Sequence, residues 1–127
     1  KAGTRRCLAR STLGRVLLAM EPPETRARMI AEALAVWDGD EEPPPTEEVA
    51  GDLKQVAARG HAFHAGLVND NAAMLAIPLS VSPPARPLAL GLAAPKDLFR
   101  GRRAELLKIM RDVLGHLGSP GPARKTA

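Results

Sequence analysis

Two histidines, His61 and His64, stand three positions apart in the segment HAFHAGL. On a helix that spacing would let both bind one metal ion; on a strand it points them to opposite faces. The segment reads as a strand, so a shared metal is not expected. One ring should face outward and the other toward the core or a pocket. His64 with Asp70 as an acid–base pair and Ser11 as a nucleophile would suggest hydrolysis, but nothing in their spacing supports it. Asp38, Asp40, Glu41 and Glu42 concentrate carboxylates, yet the segment lacks the glycine and the terminal glutamate of a calcium loop. Cys7 lies among basic residues that would lower its pKa if it were exposed; a passive, partly buried thiol is the plainer expectation. The chain has no glycine-rich phosphate loop, no G-x-S-x-G elbow and no cysteine pair for zinc.

The most suggestive chemistry lies at the start of the first expected helix. Ser11 or Thr12 can cap it, and Ser11, Thr12 and Leu13 would present backbone N–H groups with no partner inside the helix. Such a terminus suits an anion. A cap with no ligand is the default for any one helix, so this feature needs a second reason before it counts as a site.

The elements that must position these groups are organised by Ala72–Pro95. Two apolar runs, Ala72–Val81 and Leu88–Ala94, flank the break Ser82-Pro83-Pro84-Ala85-Arg86-Pro87. Each run has the length of a strand, and proline marks a connection, so a long-turned β-hairpin is expected. Upstream, Leu13, Val16, Leu17 and Met20 share one helical face, and the helix stops before Pro22-Pro23. A second helix, 23–36, carries Met29, Ile30, Ala33 and Leu34. The acidic, proline-rich segment 37–45 is a loop. Thr46 should cap a third helix, with Glu47 and Glu48 in its first turn, Val49, Leu53 and Val56 as its buried stripe, and Gly60 after its end. His61–Leu67 is a strand, Val68–Asn71 a turn, Lys96–Gly101 a connection, and 101–117 a last helix with Leu106, Leu107, Met110, Val113, Leu114 and Leu117 on its apolar side. The fold class is α+β: an antiparallel three-stranded meander with helices before and after it covering one face. Residues 1–118 form the domain, and the tail 119–127 is expected to be disordered.

Composition bounds the function. With 127 residues and 45% hydrophobic content the chain can bury a real core. Aromatics are only 2%, with no tyrosine, so stacking platforms for single-stranded nucleic acid are essentially missing. The net charge of +4 comes from scattered arginines and one small cluster, Arg100, Arg102 and Arg103. A nucleic-acid patch needs more focused charge, and an ordinary solvated surface is expected. A single cysteine rules out an internal disulfide and fits a reducing, cytoplasmic setting. No signal peptide or membrane span is visible. The chain starts at Lys1, so it is expected to be part of something longer, and three strands leave room for more before it.

Four pieces in order resemble the C-terminal effector-binding domain of IclR-family bacterial transcription regulators. They are LARSTLGRVLLAM, VAARGHAF, AAMLAIPLS and PLALGLAAPKDLF, and the likeness runs from about Leu8 to Leu117. The resemblance implies a GAF-like antiparallel sheet with helices packed on it, a ligand pocket on one side, and homo-oligomers, dimers or tetramers. It also implies an N-terminal winged helix-turn-helix that binds DNA and that these residues do not contain. In family members that bind small oxo-acids, the ligand carboxylate meets backbone amides at the positions of Thr12 and Leu13. Their other contacts correspond to His64, Met74, Gly91 and Ala93, and all four differ here. The implied pocket has lost hydroxyl and carboxylate groups and gained apolar surface. The expected effector is therefore a larger, partly apolar or aromatic carboxylate. Ser11, Thr12 and Leu13 would hold the acid, Met74, Leu75, Gly91 and Ala93 would line the body, and His64 would donate to a ligand oxygen. Met74 filling the cavity, with no ligand, is the competing possibility.

The expectation is a ligand-sensing, self-associating domain of a transcription factor, with no enzyme activity, cofactor, metal or membrane partner. Its rivals are an oligomerisation module with a closed pocket and a small enzyme using His64.

Overall fold

The computed structural model describes residues 7–67, 70–79 and 88–118. The basic segment before Cys7, the Ser82–Pro87 break and the 119–127 tail lie outside the described residues. A 3-10 turn, Leu8–Arg10, leads into α1 (Thr12–Ala19), α2 (Pro23–Ala35), α3 (Thr46–Arg59), β1 (Ala62–Ala65), β2 (Ala72–Leu79), β3 (Leu88–Pro95), the one-turn α4 (Lys96–Phe99) and α5 (Arg103–Gly118).

Local chemistry sets these boundaries. Ser11 sits in extended backbone and its side chain accepts the Gly14 N–H at 2.9 Å, an N-cap that starts α1. Pro22-Pro23 separates α1 from α2, and Pro23 occupies the first helical position, where its missing N–H costs nothing. Thr46 does not cap α3. It lies one residue inside the helix, with Pro45 at the N-cap and no side-chain cap, while Glu47 and Glu48 face the positive end of the dipole. Gly60 ends α3 at φ +79°, and its N–H reaches the Val56 carbonyl at 2.8 Å.

The sheet is antiparallel in the order β1-β2-β3. Cross-strand rows run Ala62–Ala76–Gly91 and His64–Met74–Ala93 on one face, and Phe63–Leu75–Leu92 on the other. Helices cover both faces, not one. α1 lies directly on the first face, with α2 and α3 packed on it; α4 and α5 close the second. The central strand β2 is therefore buried on both sides, which explains an apolar run without alternation.

Val49, Leu53 and Val56 form the buried stripe of α3, and Ile30 and Ala33 that of α2. α1 is buried more nearly all round than its expected stripe: Leu18 is fully buried and Met20 is exposed. On α5, Leu106 and Met110 are buried, but Val113 is exposed along with Ile109. The expected connection 96–101 contains α4, whose Phe99 is buried and meets Phe63 edge-on with ring centroids 5.2 Å apart. No helix among the described residues is long and apolar enough to cross a membrane.

Candidate functional site: the start of α1 over the sheet

The row of small residues beneath α1 lets its backbone come close to the sheet. Its own Gly14 is packed tightly against the preceding turn: a Cβ there would lie 2.2 Å from the Leu8 carbonyl oxygen. This close approach places Thr12 and Leu13 above β1 and β3. By position their N–H groups have no partner within the helix.

Thr12 belongs to a polar chain that crosses three elements. Its hydroxyl lies 3.0 Å from His64 Nδ1 on β1, and His64 Nε2 lies 2.8 Å from Asp52 Oδ2 on α3. Arg15, on α1, donates to the same Asp52 oxygen at 2.9 Å and, through Nε, to the Ala9 carbonyl at 2.7 Å. Arg15 is a buried charge, and Asp52 neutralises it. The Asp52 carboxyl is held at about 2, below its ordinary 3.8, chiefly by the hydrogen bond from His64; burial opposes this, and Arg15 adds to it. An ionised carboxylate can only accept, so Nε2 carries the proton toward Asp52. Nδ1 of a neutral His64 then accepts the Thr12 O–H.

Hydroxyl, imidazole and carboxylate thus line up in the order used for acyl transfer. Here Thr12 is only 3% exposed, and the carboxylate is shared with Arg15. The chain therefore pins α1 to α3 and β1, and its hydroxyl is closed to a substrate. Both ring nitrogens of His64 are engaged, so the expected donation from His64 to a ligand oxygen is not available in this arrangement.

The other expected site residues divide. Leu13, Met74 and Gly91 come together: a Cβ on Gly91 would lie 2.9 Å from Leu13 Cδ2 and 3.1 Å from Met74 Sδ. Ala93 is in register with Met74 and His64, and Ala93 and Gly91 are both exposed on β3. Ser11 spends its hydroxyl on the cap. Leu75 is misplaced in the sequence reading. As the strand neighbour of Met74 it points to the opposite face, into the cluster of Ile77 and Phe99. His64 turns to Thr12 and Asp52, whereas His61 lies just before β1 and outside the strand. Asp38 and Glu41 turn toward the Arg10 guanidinium at 3.7 and 3.6 Å, and Cys7 is buried with its thiol donating to the Ala33 carbonyl at 3.0 Å. Sequence reasoning missed Asp52 and Arg15. The signal was present, since Asp52 falls on the Val49–Leu53–Val56 stripe and Arg15 sits one turn after Thr12.

No family model and no curated protein matches the sequence. Solved structures do match. The effector domain of the transcriptional regulator IclR from Acinetobacter sp. ADP1 superposes with a TM-score of 0.82 at 15% identity, covering 95% of this chain and 70% of that one. The fold is similar to that of this effector domain. An IclR-family regulator from Brucella abortus gives a TM-score of 0.74 at 18% identity, over 96% of this chain and 47% of its own. This chain therefore spans about half the length of that regulator. The inducer-binding domain of a double mutant of the transcription factor PobR from Acinetobacter, solved with 3-hydroxybenzoic acid, gives 0.75 at 14% identity, over 92% of this chain and 70% of its own. These structural neighbours are transcriptional regulators or domains of them.

Proposed function

We propose that this chain is the effector-sensing domain of an IclR-family transcriptional regulator, and that its effector is a carboxylate with a partly apolar or aromatic body. The observation that carries this reading is the start of α1 lying over β3 where Gly91 and Ala93 are exposed and without bulk. The Thr12 and Leu13 amides would take the acid. Leu13 and Met74 would move aside for the body, and methionine is suited to such adjustment. The PobR complex supports the choice of class, because its ligand is an aromatic carboxylic acid. The Thr12–His64–Asp52–Arg15 chain would hold the amides in place and transmit occupancy to α3. Binding would shift a conformational equilibrium read out by a DNA-binding domain in the longer protein, in a cytoplasmic homo-oligomer.

The test is a thermal-shift screen against aromatic and short aliphatic carboxylates. A ligand at 100 times its dissociation constant adds about 2.7 kcal/mol of stability. A raised melting temperature with 3-hydroxybenzoate or a similar acid, abolished by Gly91→Leu, is expected. No shift with any acid contradicts the reading.

A second reading has its own observation: Leu13 and Met74 already meet over Gly91. On that reading the domain only assembles, through exposed apolar residues such as Ile109 and Val113. Light scattering that shows concentration-dependent dimers or tetramers, with no ligand response, would favour it.

A further inference from the structure

The arginines look scattered in sequence, but folding gathers three of them around His61, where α3 ends and α5 passes it. Arg59 ends α3, two residues before His61. Arg111 reaches from α5 and donates to the Arg59 and Gly60 carbonyls, both at 3.4 Å. Arg103, at the start of α5, lies over the Phe63 ring with its guanidinium carbon 4.0 Å from the centroid. Among the described residues, none of these three arginines comes within ion-pair distance of a carboxylate. All three are exposed, and His61 Nδ1 is buried with no hydrogen-bond partner.

We propose that Arg59, His61, Arg103 and Arg111 form a second binding site, separate from the α1 site, that takes a phosphate group. Two features support this. The Arg59 guanidinium is held by Gln55 Oε1 at 2.7 Å, that of Arg103 by the Phe63 ring face and that of Arg111 by backbone carbonyls, which leaves N–H donors for oxyanions in a limited set of directions. Three cations gathered without a counter-charge repel one another, and a divalent oxyanion relieves that repulsion.

The site carries a proton linkage. Burial lowers the His61 pKa first, and the Arg111 charge lowers it further; Arg59 and Arg103 act in the same direction, and the Arg59 carbonyl opposes them. A bound oxyanion offsets the three positive charges. Protonated His61 therefore binds the anion more tightly, and by reciprocity the anion raises the His61 pKa.

The ring C–H resonances of His61 in the full chain report this directly. They are titrated from pH 5 to 8 in sodium chloride and in sodium sulfate at equal ionic strength. Sulfate stands in for a phosphate group and keeps its charge over this range. The expected result is a His61 midpoint about half a pH unit or more higher in sulfate, which is roughly threefold tighter anion binding to the protonated form. The upward move should vanish in Arg59→Gln/Arg103→Gln. Arg111 is left intact because it also caps α3. Inorganic phosphate at pH 6 should reproduce the change. A short DNA duplex that displaces it identifies a polynucleotide backbone as the source of the phosphate, and failure to displace it identifies a small phosphorylated molecule. Equal His61 midpoints in sulfate and chloride would overturn the proposal, as would an upward move that survives in the folded double variant.

Discussion

The two faces of the sheet solve packing in opposite ways. Under α5 the contacts are large and apolar: Leu75, Ile77, Phe99, Leu106 and Met110 are buried together, with Phe63 and Leu92 against them. Under α1 the sheet offers Ala62, Ala76 and Gly91, and the helix comes close over them. That side adds a partly buried ionic chain, with Arg15, Asp52, His64 and Thr12 linking α1, α3 and β1. A core of large side chains gains stability from area removed from water. A face of small side chains gains less, and fixes its geometry with directional bonds. The difference places large apolar contacts on one side of the sheet and the polar-anchored start of α1, the proposed site, on the other.

The largest effect should come from the apolar face. Phe99→Ala should cost about 3–5 kcal/mol in urea denaturation, because an aromatic ring in a dense cluster leaves a cavity that its neighbours fill poorly. If the two faces are independent in function, the variant should keep any response to carboxylates once its lower baseline is allowed for.

Asp52→Ala attacks the polar side and should cost about 3 kcal/mol, since it leaves the Arg15 charge buried without a counter-charge. Its pH behaviour sharpens the comparison. Asp52 titrates at about 2 in the folded protein, below its ordinary 3.8. Its contribution is therefore fully present above about pH 4 and is lost as the pH falls through that interval. It amounts to roughly 1–2 kcal/mol after allowing for partial exposure. Stability measured from pH 5 to 2 should fall more steeply in the parent chain than in Asp52→Asn.

Gly14→Ala should cost about 2–3 kcal/mol, because the new Cβ collides with backbone and not with a side chain that can move. It should displace the start of α1 and so impair carboxylate binding as well as folding. The smallest expected effect separates neighbours on one strand. Met74→Ala should cost about 1 kcal/mol and change ligand preference, whereas Leu75→Ala should cost at least about 2 kcal/mol and leave preference alone. Equal costs with equal changes in preference would remove the distinction between the faces.

Much of this arrangement is legible in the sequence, for identifiable reasons. The unbroken apolar runs of β2 and β3 and the periodic stripe of α3 are strong signals. Ser11 and Gly60 mark helix boundaries through chemistry that needs no tertiary context. The N–H groups at Thr12 and Leu13 follow from the same reasoning. Legibility fails where a residue's role depends on what lies across from it. An alternation argument can separate Met74 from Leu75, but only once the strand's register is respected. Phe99 looks like part of a connection until a second layer buries it. Asp52 and Arg15 look like surface charges, although Asp52 borders the stripe of α3 and Arg15 sits one turn after Thr12, because each is drawn inward by the other. Coverage of both faces also depends on where α5 returns, and no local pattern states that.

The central claim is that the start of α1 is the effector site. The most direct measurement is the backbone amide NMR spectrum of the chain during titration with 3-hydroxybenzoate. The account predicts saturable changes centred on Thr12 and Leu13, extending to His64, Met74 and Ala93, with Leu75 and Ile77 little affected. Saturable changes confined to the α5 face, or a spectrum unmoved by any aromatic carboxylate, would contradict it.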